Sequence, residues 1–219
     1  MKDLLLIPGW GFDARVWQPL AVLLRQEFRI HHAIEDAPAS AIVCGWSLGA
    51  LSALQLALKQ PERVARLVLI GATPRFVQAP DWPQAQSPAV LEAFAAALAA
   101  APQAALRRFV ALLNQGDKQA HRLTRELSAM LDPVPPSAAL AAGLASLRDT
   151  DLRAQIANLR QPVLLLHGAC DALMPLAAAS WLAQQLPDAR LEVFPGTAHA
   201  PLLAEPQRCA SLLMGFADE

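Results

Sequence analysis

Residues Ile42-Val43-Cys44-Gly45-Trp46-Ser47-Leu48-Gly49-Ala50-Leu51 decide the fold of this chain. An apolar run enters Gly-x-Ser-x-Gly, and a helix-forming run, residues 51–59, leaves it. The five-residue motif alone recurs by chance in unrelated chains. With a strand before it and a helix after it, it is a nucleophile elbow, a strained turn that presents a serine at the end of a sheet. Gly45 and Gly49 omit the side chains that would collide with the neighbouring strand and helix. The Ser47 oxygen then sits at a helix N-terminus, where free N–H groups and the helix dipole favour negative charge.

Away from the elbow, short apolar runs alternate with helical patterns. That alternation predicts an α/β domain, a mostly parallel sheet with flanking helices. Strands are expected over 4–7, 28–32, 41–44, 66–70, 162–167 and 190–194, and helices over 17–26, 48–59, 176–186 and 206–216. Between 73 and 158 the strand pattern disappears and prolines punctuate a helical region. The division expected is a core of 1–73 and 159–219 carrying a helical cap, 74–158. The alanine-rich stretch 94–105 belongs to a stripe of Leu91, Phe94, Leu98 and Leu106, which argues for helix rather than disorder. One link is unusual. Residues 33–40 separate two expected strands, whereas a parallel crossover usually takes about a dozen residues or more. Either a sheet face lacks its usual helix there, in which case a second subunit could shield it in a homodimer, or 28–32 is an irregular edge segment.

At 219 residues the chain can bury a full-sized core, and 18 basic residues balance 19 acidic ones. Nothing in that balance points to nucleic acid or a membrane surface. The apolar run 4–7 is too short for the core of a signal peptide, and no stretch approaches a membrane span. Three cysteines, Cys44, Cys170 and Cys209, have no metal-like spacing, and the expectation is a reduced, cytoplasmic protein.

A serine hydroxyl needs an adjacent base to act as a nucleophile at neutral pH. In this architecture the partners follow the serine in the order Ser, Asp, His. His199, in Gly196-Thr197-Ala198-His199-Ala200-Pro201, follows the last expected strand and is the best placed of five histidines. His31 and His32 read as structural or surface groups, His121 as part of a solvated cap face, and His167 as a core hydrogen-bonding group. Asp171 can accept the imidazole N–H and fix its tautomer, although it could instead cap the helix that starts near Pro175. Asp149 and Asp151 are rivals in the return from the cap. The oxyanion requires two aimed N–H donors: Leu48 follows the nucleophile, and Trp10, in Pro8-Gly9-Trp10-Gly11-Phe12, should supply the other. This chemistry needs neither a metal nor an organic cofactor.

At these motifs the chain resembles the α/β-hydrolase superfamily, and within it the pimeloyl-acyl-carrier-protein methyl ester esterases of biotin synthesis. The likeness is carried by Pro8-Gly9-Trp10-Gly11, Gly45-Trp46-Ser47-Leu48-Gly49, Pro61-Glu62-Arg63-Val64, Asp81-Trp82-Pro83, Arg108-Phe109-Val110-Ala111-Leu112 and Ala198-His199-Ala200-Pro201. It implies Ser47, Asp171 and His199 as the catalytic residues and the Trp10 and Leu48 N–H groups as the oxyanion donors. It further implies an acyl channel lined by Trp10, Phe109, Leu112 and Leu113. A basic cap would hold the acidic carrier protein, with Arg108 and Arg125 matching by position and Arg107 and Arg122 lying beside Ala104 and His121, which stand where the family has arginine. Pro8 replaces a family histidine, and the N-terminal part of the sheet is shortened. Read bottom-up, the arginines could equally form a solvated helix face, and Phe109, Leu112 and Leu113 could be core. A general short-chain esterase or thioesterase without a carrier, or a non-catalytic binding protein of the same fold, are the alternatives.

Overall fold

Six runs rich in leucine, valine and isoleucine form one parallel sheet: β1 (Lys2–Ile7), β2 (Phe28–His31), β3 (Ala41–Trp46), β4 (Val64–Ile70), β5 (Val163–Gly168) and β6 (Ala189–Phe194), in the order β2-β1-β3-β4-β5-β6. The computed structural model describes all 219 residues, Met1–Glu219. All residues of β3 and β5 are buried, as expected of central parallel strands covered on both faces. Every strand expected from the sequence is present, with ends shifted by two residues or fewer.

The helices are α1 (Gln18–Leu24), α2 (Leu48–Lys59), α3 (Pro88–Ala100), α4 (Pro102–Leu113), α5 (Ala120–Met130), α6 (Ser137–Asp149), α7 (Leu176–Gln185), α8 (Pro201–Ala204) and α9 (Pro206–Asp218). The α1 crossover runs from β1 outward to β2, whereas the α2 and α7 crossovers run the other way along the sheet. Right-handed connections therefore put α1 on one face and α2 and α7 on the other. The C-terminal α9 packs beside α1. Pro88 and Pro102 open α3 and α4 at their first turn, where the missing N–H costs nothing.

The short link 33–40 carries a single 3₁₀ turn, Ile34–Asp36, in place of a helix. The strand before it is regular, pairing with β1 from Lys2↔Phe28 to Leu5↔His31, so the irregular-edge reading is set aside. The Arg63 guanidinium donates to the carbonyl oxygens of Ile34 and Ala37 and pins the link against the sheet. Leu4, Leu5 and Leu6 remain at most 1 % exposed.

Four helices, α3 to α6, fill the insertion between β4 and β5. Its two ends meet at a neck, where Arg75 bridges to Asp151 and the Leu152 N–H donates to Pro74 O at 3.0 Å. The Asp151 carboxylate accepts from Arg153 Nε and Nη2 (2.9 and 2.8 Å) and from the Arg75 guanidinium. Arg153 also pairs with Asp81 (3.0 Å) and lies over the Trp82 ring. Trp82 is 1 % exposed, donates its indole N–H to Arg75 O and packs edge-on against Trp181. Asp81-Trp82-Pro83 is thus part of a latch at the neck.

The Arg153 hydrogen bonds, reinforced by Arg75 against the opposing effect of burial, hold the Asp151 carboxyl well below the ordinary carboxylate range. A group with a lowered folded-state pKa stabilises above its unfolded value and loses that contribution as pH falls toward the folded one. Asp151→Asn is expected to cost about 1–2 kcal/mol, or roughly 2–4 °C of Tm per kcal/mol. In thermal melts the gap to wild type should close as pH drops below about 4. An equal gap at pH 3 and pH 7 would contradict this account of the neck.

Candidate active site

The elbow is built by close approach. A Cβ on Gly45 would lie 2.2 Å from Gly49 O, and one on Gly49 would lie 2.2 Å from Ile7 O. Between them Ser47 adopts φ 58° and ψ −120°, a conformation a non-glycine residue keeps only when its surroundings enforce it. Its N–H donates to Ile70 O at 2.9 Å, tying the turn to the end of β4. Ser47 is 5 % exposed and faces a pocket beneath the cap.

The loops after β5 and β6 bring the other two residues together. His199 Nδ1 lies 2.7 Å from Asp171 Oδ2, and both side chains are fully buried. Asp171 Oδ1 accepts the backbone N–H groups of Leu173 (2.9 Å) and Met174 (2.8 Å). The carboxylate thus turns its own loop, bonding Leu173 and Met174, rather than capping α7, which begins at Leu176 with no side-chain cap. Burial pushes the Asp171 carboxyl up, but the His199 charge and hydrogen bond, with help from His167 and Met174, bring it below its ordinary value on balance. With Nδ1–H committed to Asp171, neutral His199 carries a free lone pair on Nε2. That nitrogen is buried and makes no hydrogen bond, to the Ser47 hydroxyl or to any other group. The rivals Asp149 and Asp151 are engaged elsewhere, with Arg148 and at the neck.

His167 makes the expected core hydrogen bond, from Nε2 to Met174 O at 2.8 Å, and burial lowers its pKa despite the nearby Asp171. Trp46, inside the nucleophile motif, donates its indole N–H to His199 O at 2.8 Å. The residue before Ser47 therefore holds the loop that carries His199. Nothing in the sequence pattern disclosed this bond.

The backbone N–H groups of Trp10 and Leu48 donate to no acceptor within the protein. Leu48 is the first residue of α2, and Trp10 lies in the turn after β1. The Trp10 ring is fixed by its indole N–H to Leu140 O (2.8 Å) and by edge contacts with Phe109 and Phe94. Trp10, Phe94, Phe109, Leu112 and Leu144 line an almost wholly apolar pocket that reaches Ser47. Leu113, expected on this wall, does not reach it. Its side chain packs in the core, and its carbonyl oxygen accepts the His199 N–H at 3.1 Å. The α6 residues Leu144 and Leu147 form part of the wall and were missed, because an alanine-rich helix gives no sign of which face it turns to a substrate.

The four arginines do not form one patch. Exposed Arg108 and Arg125 share a groove between α4 and α5 with His121, and no acidic residue lines it. Arg108 and Leu112 border both this groove and the apolar pocket. Arg122 is engaged with Glu126, Gln119 and the carbonyl of Leu203. Arg107 lies at a different depression, with Gln103 and Asp132.

This fold and this serine, histidine and aspartate define a protein of the α/β-hydrolase class. The α/β-hydrolase fold family matches residues 38–206, and the chain belongs to it. Its curated relatives narrow the class to the pimeloyl-[acyl-carrier protein] methyl ester esterases, a family to which the chain also belongs. The esterase of that name from Aromatoleum aromaticum is 44 % identical over 96 % of both chains. That from Nitrosomonas europaea is 37 % identical over 95 % of this chain and 93 % of its own. Among solved structures, an esterase from Exiguobacterium antarcticum superposes with a TM-score of 0.90 at 19 % identity, covering all of this chain and 92 % of its own, a likeness of fold.

Proposed function

We propose that the chain is a serine carboxylesterase that hydrolyses the methyl ester of a pimeloyl group carried on acyl carrier protein, releasing methanol, in biotin biosynthesis in the cytoplasm. The observation that carries this reading is a shared wall: Arg108 and Leu112 line both an apolar pocket that reaches Ser47, suited to a methylene chain, and a groove whose only charged side chains are basic. An acyl chain lying in that pocket would leave its thioester end at the groove, where an acidic carrier would meet Arg108 and Arg125.

In this mechanism His199 Nε2 takes the Ser47 proton as the serine oxygen attacks the ester carbonyl. The Trp10 and Leu48 N–H groups donate to the oxyanion, each such donor contributing about 3–4 kcal/mol. Asp171 stabilises the imidazolium and holds its tautomer. His199 then protonates the leaving methanol. It next activates a water that cleaves the acyl-enzyme, returning the proton to Ser47.

The test compares carrier-linked pimeloyl methyl ester with p-nitrophenyl butyrate, in wild type and in the variant Arg108→Ala/Arg125→Ala. Two exposed charges contributing about 0.5–1 kcal/mol each predict a fall of roughly 5- to 30-fold in kcat/KM for the carrier substrate at low ionic strength. The small ester should change by less than about twofold, and the difference should shrink in high salt as screening shortens. Equal cleavage of both substrates with no dependence on the arginines would make the chain a general esterase and remove the carrier from the reading.

A further inference from the structure

Asp117, in the turn between α4 and α5, is a carboxylate that is 8 % exposed. Burying an ionised group is costly unless its oxygens are taken up. Both are taken up by backbone N–H groups rather than by a cation. Oδ1 accepts from Gln119 at 2.7 Å, and Oδ2 accepts from Ala198 at 2.8 Å. The first bond is local and opens α5, a task that a serine, threonine or asparagine performs as well. The second crosses from the cap to the core and ends on the peptide N–H immediately before His199. Two further bonds flank it: the His199 N–H donates to Leu113 O (3.1 Å), and the Lys118 N–H donates to Gly196 O (3.0 Å). The backbone of 196–199 is therefore gripped at three points by residues 113–118, and the carboxylate is the one side chain in the grip.

Asp171 orients the His199 ring, but the ring starts from a backbone that the cap holds. We propose that Asp117 is a positioning residue for His199, fixing its backbone through the Ala198 N–H so that Nε2 is delivered to Ser47. This rests on the reading of His199 as the base. Asp117 touches neither substrate nor reacting atoms. Its effect should fall on kcat, since a displacement of about 1 Å in a catalytic group can cost about 100-fold in rate.

Two variants separate positioning from folding. Asp117→Ser keeps an oxygen that can cap Gln119 but is too short to span to Ala198 as well. Asp117→Ala loses both bonds. With p-nitrophenyl butyrate, both are expected to lower kcat by about tenfold with KM within about twofold. Both should also shift or broaden the downfield proton resonance of the His199 Nδ1–H···Asp171 bond and displace the acid limb of the kcat–pH profile. Both should melt below wild type, because each leaves the buried Ala198 N–H unpaired, and the serine variant should melt above the alanine variant, since it keeps the local bond to Gln119. Should the alanine variant fail to melt cooperatively, the serine variant decides alone. Wild-type kcat, pH profile and resonance in Asp117→Ser would overturn the proposal and leave Asp117 a structural residue. His199→Ala, run beside them, keeps the two readings apart: turnover near wild type there would overturn the assignment of the base itself.

Discussion

Ser47→Ala will abolish ester hydrolysis and leave the melting temperature almost unchanged. The strain at this residue resides in its backbone, at φ 58°. Serine and alanine both carry a Cβ, so both meet the same steric cost there, and the substitution neither relieves nor adds strain. The turn is kept by bonds that the variant retains, from the Ser47 N–H to Ile70 O and from the Ala50 and Leu51 N–H groups to Ser47 O. What disappears, in the proposed mechanism, is the nucleophile, and with it the acyl-enzyme route. Removing the serine of such a triad typically costs roughly 10⁶ in kcat, the remainder coming from substrate binding and the oxyanion donors. The measurement is steady-state hydrolysis of p-nitrophenyl butyrate with a thermal melt on the same sample. Turnover within about tenfold of wild type would end the assignment of Ser47, whatever the family likeness. Loss of the fold would instead show that the hydroxyl has a structural partner.

The parts of this site that are local in sequence were legible, and those that depend on distant backbone were not. The elbow is written in ten consecutive residues, because a strand, a tight turn and a helix each leave a pattern within a few positions of Ser47. Asp171 and His199 could be placed because each follows a recognisable strand, and strand ends on one edge of a parallel sheet converge. Asp117 left no comparable trace. Its decisive bond runs to a peptide N–H 81 residues away, and backbone donors have no sequence signature. Trp46 is similar: it was visible as a motif residue, but its bond to His199 O follows only from how β3 faces the loop after β6. The Arg122 misplacement had a visible warning, because Glu126 stands four residues on, the spacing at which a helix pairs opposite charges. The expected role of Leu113 failed for a different reason. Helical spacing groups it with Phe109, yet the chain uses its carbonyl, at the end of α4 where helix carbonyls are free to accept from a neighbouring loop. Gly143 is the one glycine of the alanine-rich α6, and its place has a steric reason. A Cβ there would lie 2.4 Å from Trp10 Cδ1, so the missing side chain marks where α6 closes over the turn after β1.

Asp171→Asn should be severely damaging, though about a hundredfold less so than loss of the serine, and for a reason set by hydrogen-bond polarity. The two carboxylate oxygens do different work. Oδ1 accepts two backbone N–H groups, from Leu173 and Met174, and Oδ2 accepts the His199 Nδ1–H. An asparagine has one acceptor oxygen and one donor nitrogen. The pair of backbone donors dictates that the oxygen take the Oδ1 position, which leaves the amide NH₂ facing His199 Nδ1. A donor there favours the tautomer with Nδ1 unprotonated and the proton on Nε2, so the nitrogen that must accept the Ser47 proton already carries one. The alternative flip sets an NH₂ against two N–H groups in a fully buried site, which leaves those donors unsatisfied and costs about 1–3 kcal/mol each. Either way the base is lost while the shape of the site is kept, and a fall of roughly 10⁴ in kcat is expected, with KM changed little. The same variant loses the downfield Nδ1 proton resonance outright, whereas substitutions at Asp117 should only move or broaden it. Near-normal turnover in Asp171→Asn would mean that His199 is oriented by its backbone alone, through the grip of residues 113–118 and the Trp46 bond to His199 O.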